Sequence, residues 1–116
     1  MIAIAGAGAF GTALAIALGH EGRAVTLWAR NPGEMGVTRQ NTRHLPGVDI
    51  PQTVTITADR DCFGRASTVL LAVPMQALAG FLADHAALSG RVLVACCKGI
   101  DLQTWQGPSA VIAAAF

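Results

Sequence analysis

Apolar residues along this chain fall into short blocks separated by polar or glycine-rich punctuation, and the period inside the blocks switches between that of strands and that of helices. Met1–Ala5 is an unbroken apolar run with isoleucines at alternate positions, which predicts a buried strand ending abruptly at Gly6. Ala13, Leu14, Ala17 and Leu18 then recur at helical spacing and predict a helix over Phe10–Glu21, ended by Gly22. Ala24–Ala29 reads as the next strand. The polar stretch Asn31–Asn41 predicts a helix weakened by Gly33 and Gly36. Residues 43–54, with two prolines and a glycine, predict an ordered loop. Val54–Thr57 follows as a short strand, 58–66 as a brief helix or turn, and Ser67–Val73 as the strongest strand, stopped by Pro74. Met75, Leu78, Leu82 and Ala86 line one side of a helix over Met75–Ala87; Arg91–Cys96 is a further strand, and Ser109–Phe116 opens a last helical pattern.

Strands alternating with helices imply a parallel sheet with helices on both faces. Composition supports this: 116 residues, 53% hydrophobic and 13% charged, suffice for one cored domain and exclude disorder. A net charge of +1, with Lys and Arg scattered, leaves no basic face for nucleic acid. Residues 1–19 and 66–83 carry no charge and approach the length of a membrane span. The first lacks a basic leading region and is centred on glycine. The second is broken by Pro74 and carries Ser67, Thr68 and Gln76, so neither membrane insertion nor a signal peptide is expected. Cys62, Cys96 and Cys97 are odd in number and lack CxxC spacing, which reads as reduced thiols in a cytoplasmic protein. His20, His44 and His85 are far apart in sequence, and no metal site is expected.

Candidate chemistry begins at Gly6-Ala7-Gly8-Ala9-Phe10-Gly11, a GxGxxG pattern between a predicted strand and a predicted helix. In a dinucleotide site the first glycine makes the tight turn, the second lets the backbone approach a pyrophosphate, and the third lets helix and strand pack closely. The helix N-terminus then offers free N–H groups to the phosphates. The same glycines would also serve tight packing alone. No Lys-Ser or Lys-Thr follows the last glycine, which disfavours nucleoside triphosphate hydrolysis. No acid stands about 20 residues further on, where NAD-selective sites place one on the ribose. Arg30 stands at the end of the second strand instead, able to hold a 2′-phosphate or to stack on adenine, so NADP is expected to be accepted, with NAD the other candidate. Lys98 directly follows a strand, where open parallel sheets bind ligands, and Gly99 leaves room for close approach.

The segments GAGAFGTALA, VTLWAR, HLPGV, LLAVPMQAL and CCKGI, in this order and approximate spacing, resemble the bacterial-type NAD(P)-dependent glycerol-3-phosphate dehydrogenases over almost the whole chain. The resemblance implies a Rossmann-like, doubly wound α/β domain over 1–116, truncated before a helical substrate domain on which it would pack. It implies a cytoplasmic oxidoreductase of phospholipid-precursor synthesis that interconverts sn-glycerol 3-phosphate and dihydroxyacetone phosphate, with a homodimer as one assembly. The proton-handling lysine belongs to the missing half, so no catalytic residue is expected here and the chain alone should be inactive. Ala9 and Phe10 match cofactor-contacting positions at which many members carry serine and tryptophan. Arg30 matches an adenosine-side basic position, His44 a position beside the cofactor, and Pro74 the turn beneath the nicotinamide. Lys98 matches a lysine that contacts both cofactor and substrate, with Gly99 beside it. Two other readings remain: an NADP-linked keto- or imino-acid reductase of the same superfamily, and a non-enzymatic dinucleotide-sensing domain.

Overall fold

A computed structural model describes all of residues 1–116, and its centre is a five-stranded, wholly parallel sheet. Strands β1 (Ile2–Ala5), β2 (Val25–Trp28), β5 (Val54–Thr57), β6 (Thr68–Leu71) and β7 (Val92–Ala95) lie in the order β5-β2-β1-β6-β7. The chain first moves outward from β1 to β2 and β5, then returns to β1's other edge for β6 and β7. The strand order therefore reverses between β1 and β6, which is where open α/β sheets bind ligands.

Strand alternation divides the core between the two faces. Ile4, Val25, Leu27 and Val54 are buried with Ala15 of helix α1 (Ala9–His20) and with Ile50. Ala3, Ala5, Val69 and Leu71 face a larger cluster that includes Phe63 of α3 (Cys62–Arg65), Leu78 and Leu82 of α4 (Met75–Asp84), and Val111 of α5 (Pro108–Ala115). Small residues in α1 let it lie close to the strands: Gly11, Thr12, Ala15 and Gly19 are its buried positions. Gly22, at φ +78, turns the chain out of α1, its N–H donating to the Gly19 carbonyl at 3.0 Å. Trp28, Phe63, Phe81 and His85 form an aromatic knot under the end of β2, with Phe81 and His85 stacked at 4.1 Å. His85 Nδ1 lies 2.6 Å from the Phe81 carbonyl, an acceptor, so Nδ1 carries the proton.

Two expectations are corrected. The helix expected over 31–41 shrinks to the single turn α2 (Met35–Thr38). The loop expected over 43–54 contains β4 (Leu45–Asp49), which pairs antiparallel with β3 (Gln40–Asn41). Arg39 causes both. It adopts a left-handed backbone at φ 58, which ends α2. Its guanidinium donates to the carbonyls of Ile50 (3.4 Å), Val54 (2.7 Å) and Pro51, while its own carbonyl accepts from Ile50 N–H at 2.6 Å. Local periodicity carries no trace of these long-range bonds. A smaller correction concerns α4, which ends at Asp84 and is followed by a 3₁₀ turn over Ala86–Leu88. The longest helix has 12 residues, and none is long and apolar enough to cross a membrane.

Candidate functional site

The strand register sets the site. Ala5, Trp28, Thr57, Leu71 and Ala95 stand in one row across the sheet, so all five strands end together. The loops leaving that row carry the residues singled out from sequence: Gly6 after β1, Arg30 after β2, Pro74 after β6, and Lys98 after β7. A cavity of about 700 Å³ opens over the row, large enough for a cofactor. Gly6, Gly8, Arg30, His44 and Pro74 line it, with Trp28 and Phe81 also in its wall.

Each glycine of the motif has a distinct physical reason to be there. Gly6 sits at φ +107, and a Cβ on it would lie 2.8 Å from the Ala72 carbonyl oxygen, so the turn off β1 excludes any side chain. A Cβ on Gly11 would lie 2.0 Å from the Gly6 carbonyl oxygen, so helix and turn touch backbone to backbone. Gly8 differs from both. Its backbone is ordinary extended chain (φ −75, ψ −171), and nothing lies within 4 Å of where its Cβ would be. Packing does not require glycine at this position, and the backbone there is open to approach.

Gly8 is the residue before α1, and no side chain caps the helix. Thr12 N–H makes the first intrahelical bond, to the Gly8 carbonyl at 3.0 Å, which leaves the N–H groups of Gly8, Ala9, Phe10 and Gly11 without acceptors in the chain. Unpaired donors at the positive end of a helix dipole form an anion site. The wall adds Arg30 and Arg43 against one carboxylate, Glu34, which favours an anionic ligand.

The site also contains a residue that sequence reading missed. Asn41 is 4% exposed and lines the cavity. Its Nδ2 donates to the Ala7 carbonyl (2.8 Å) and to Thr12 Oγ1 (2.9 Å), and its Oδ1 accepts from the His44 N–H at 3.3 Å. The expected helix over 31–41 concealed it, because a polar residue ending a helix draws no attention.

The structure does not gather every residue named from sequence into this cavity. Ala9, Phe10 and Gly11 stand beside it in the first turn of α1; Gly11 is buried and Phe10 is 58% exposed. Lys98 and Gly99 are exposed beyond β7 and outside the cavity wall. They lie on the far side of β6 from the glycine turn, roughly 10 Å across at the usual strand spacing. Arg30, Gly8 and Lys98 thus follow one another across the sheet end, with the switch point in the middle. All three cysteines are free, and no group of His, Cys, Asp or Glu is arranged to hold a metal. Burial, reinforced by Asp59 and Asp61 against the opposing effect of Arg65, pushes the Cys62 thiol up to about 11.

A parallel sheet with a glycine turn at its switch point, an uncapped helix start facing a cavity and a basic wall define an α/β dinucleotide-binding domain. The residues present fit such a ligand: the amides are unpaired and the Gly8 face is open. The chain belongs to the family described as the N-terminus of NAD-dependent glycerol-3-phosphate dehydrogenase, whose model matches residues 1–116. It is 57% identical to a glycerol-3-phosphate dehydrogenase [NAD(P)+] of Cereibacter sphaeroides over 99% of this chain, and 53% identical to one of a Ruegeria species over 96% of it. Those matches span 34% and 36% of the two relatives, so the chain is about a third of their length. The crystal structure of glycerol-3-phosphate dehydrogenase from Coxiella burnetii superposes with a TM-score of 0.89 at 28% identity, covering 98% of this chain and 37% of that one.

Proposed function

We propose that residues 1–116 are the cofactor-binding domain of an oxidoreductase that interconverts sn-glycerol 3-phosphate and dihydroxyacetone phosphate. The observation that carries this reading is the row of four unpaired N–H groups beside the open face of Gly8, in a chain of this family. These amides hold the pyrophosphate of NADP or NAD, supplemented by the helix dipole. Ala9 and Phe10 continue the same turn, Phe10 offering an exposed aromatic face. Arg30 holds the adenosine end, either by two hydrogen bonds to a 2′-phosphate or by stacking on the base. His44 closes the wall beside it, and Pro74 shapes the loop on the other side of the switch point.

The bound nicotinamide supplies the hydride chemistry at the substrate's C2 carbon. Lys98, a cation beyond β7 with Gly99 next to it, holds an oxygen or phosphate of the substrate where that carbon meets the cofactor. The proton-handling group is supplied by a part of the enzyme outside residues 1–116, which span about a third of the relatives' length. This chain accordingly packs on that further part and turns over nothing alone.

The test is oxidation of NADPH and NADH by the full-length protein, followed at 340 nm with dihydroxyacetone phosphate. Turnover with this substrate supports the reading. Turnover only with a keto or imino acid, or binding of the dinucleotide with no turnover, would contradict it.

A further inference from the structure

Asn41 is a buried side chain that ties two parts of the cavity wall to the first turn of α1. Its Nδ2 reaches the Ala7 carbonyl, 34 residues away, and Thr12 Oγ1, 29 residues away. Ala7 lies inside the glycine turn, and Thr12, fully buried, lies in the first turn of α1. Through Oδ1 the same amide holds the His44 N–H, and with it the turn that carries Arg43 and His44 into the wall. A glycine-rich turn has little rigidity of its own, because glycine loses more conformational freedom on ordering than any other residue. Ala7 O can be held in place only by a donor from elsewhere, and Asn41 supplies it. A carboxamide suits this position because both Nδ2 protons have acceptors and Oδ1 has a donor. An aspartate of the same shape would set a carboxylate oxygen against the Ala7 carbonyl, two acceptors with no proton between them.

We infer that Asn41 is the positioning residue of the phosphate-binding turn: it holds the Gly6–Gly11 amides in ligand-ready geometry and couples them to the Arg43–His44 wall. This rests on the reading of the cavity as a dinucleotide site. Asn41 acts through the turn, so its loss weakens cofactor binding while leaving the chemical step intact.

The experiment uses the full-length protein with Asn41→Asp, Thr12→Val and the double variant. Affinity for NADPH and for NADH is measured by calorimetry, and kcat and both KM values at 340 nm. Asn41→Asp is expected to weaken cofactor binding about tenfold or more and Thr12→Val about threefold, the loss of buried hydrogen bonds setting the scale. The double variant is expected to be no worse than Asn41→Asp, since one clamp is broken in both. The cofactor KM rises, while kcat at saturating cofactor and the KM for dihydroxyacetone phosphate stay near wild type. Should Asn41→Asp fail to fold, Thr12→Val decides by itself. Cofactor affinity within about twofold of wild type in folded variants, even with a lowered melting temperature, would show a purely structural residue and overturn the inference. Wild-type protein that takes neither dinucleotide would instead remove the reading of the site itself.

Discussion

Gly8 and Gly11 separate two reasons for glycine three residues apart. Gly11→Ala puts a methyl group 2.0 Å from the Gly6 carbonyl oxygen, so backbone must move. That change is expected to cost about 3 kcal/mol of stability, at the upper end for overpacking, measured by urea unfolding. A variant as stable as wild type would show that α1 is free to shift away from the turn. Gly8→Val places its Cβ in open space and is expected to cost only about 1 kcal/mol, for the loss of a favourable residue at the helix start. Cys62 gives an independent check on burial. With its thiol at about 11, against an ordinary 9.0, the folded protein at pH 8 holds about a hundredfold less Cys62 thiolate than a free thiol would supply. Labelling with a thiol reagent at pH 8 should therefore reach Cys96 and Cys97, both partly exposed, well before Cys62. Equal rates at all three would contradict the packing of α3. These motif residues were legible in sequence because their spacing is local. Asn41 was not, because its role exists only once residues 7, 12 and 44 meet around it.

Among elements, the least legible was the segment between β2 and β5. The five sheet strands are short apolar runs, and burial on both faces of a parallel sheet makes such runs continuous and easy to see. The β3–β4 pair has no such signal: Pro46, Gly47, Val48 and Asp49 are exposed, so no alternation marks the strand. Gln40 Nε2 donates to Asp49 Oδ1 across the pair at 2.8 Å, and Arg39 ties down its exit, its guanidinium serving three carbonyls contributed by residues 50–54. Arg39→Ala strands those carbonyls in partly buried surroundings and is expected to lower stability by about 2–3 kcal/mol in urea titration. A loss within about 0.5 kcal/mol would mean that the hairpin is held by something else. Because Asn41 ends β3, the same variant is expected to weaken cofactor binding as well.

For the whole molecule, the reversal of strand order places the cations Arg30 and Lys98 on opposite sides of the glycine turn. An elongated ligand lying across the strand ends meets all three in turn. The far edge is uncovered: Val92 and Val94 of edge strand β7 are 62% and 40% exposed, and Ile100, Leu102 and Trp105 are exposed beside it in sequence. An apolar, uncovered edge invites pairing with another chain. Residues 1–116 alone are expected to self-associate with rising concentration in sedimentation experiments, and Val92→Lys with Val94→Lys to suppress this. A monomer at all concentrations would show that the edge is adequately protected as it stands.

The most direct test is a calorimetric titration of the full-length protein with NADPH and NADH, wild type against Gly8→Val. If the unpaired amides at the start of α1 receive the pyrophosphate, wild type binds, and the valine, placed in the open approach, weakens binding about tenfold or more with the melting temperature lowered by only a few degrees. Equal binding by the two proteins would contradict the account, because the dinucleotide would then be held somewhere other than the turn between β1 and α1.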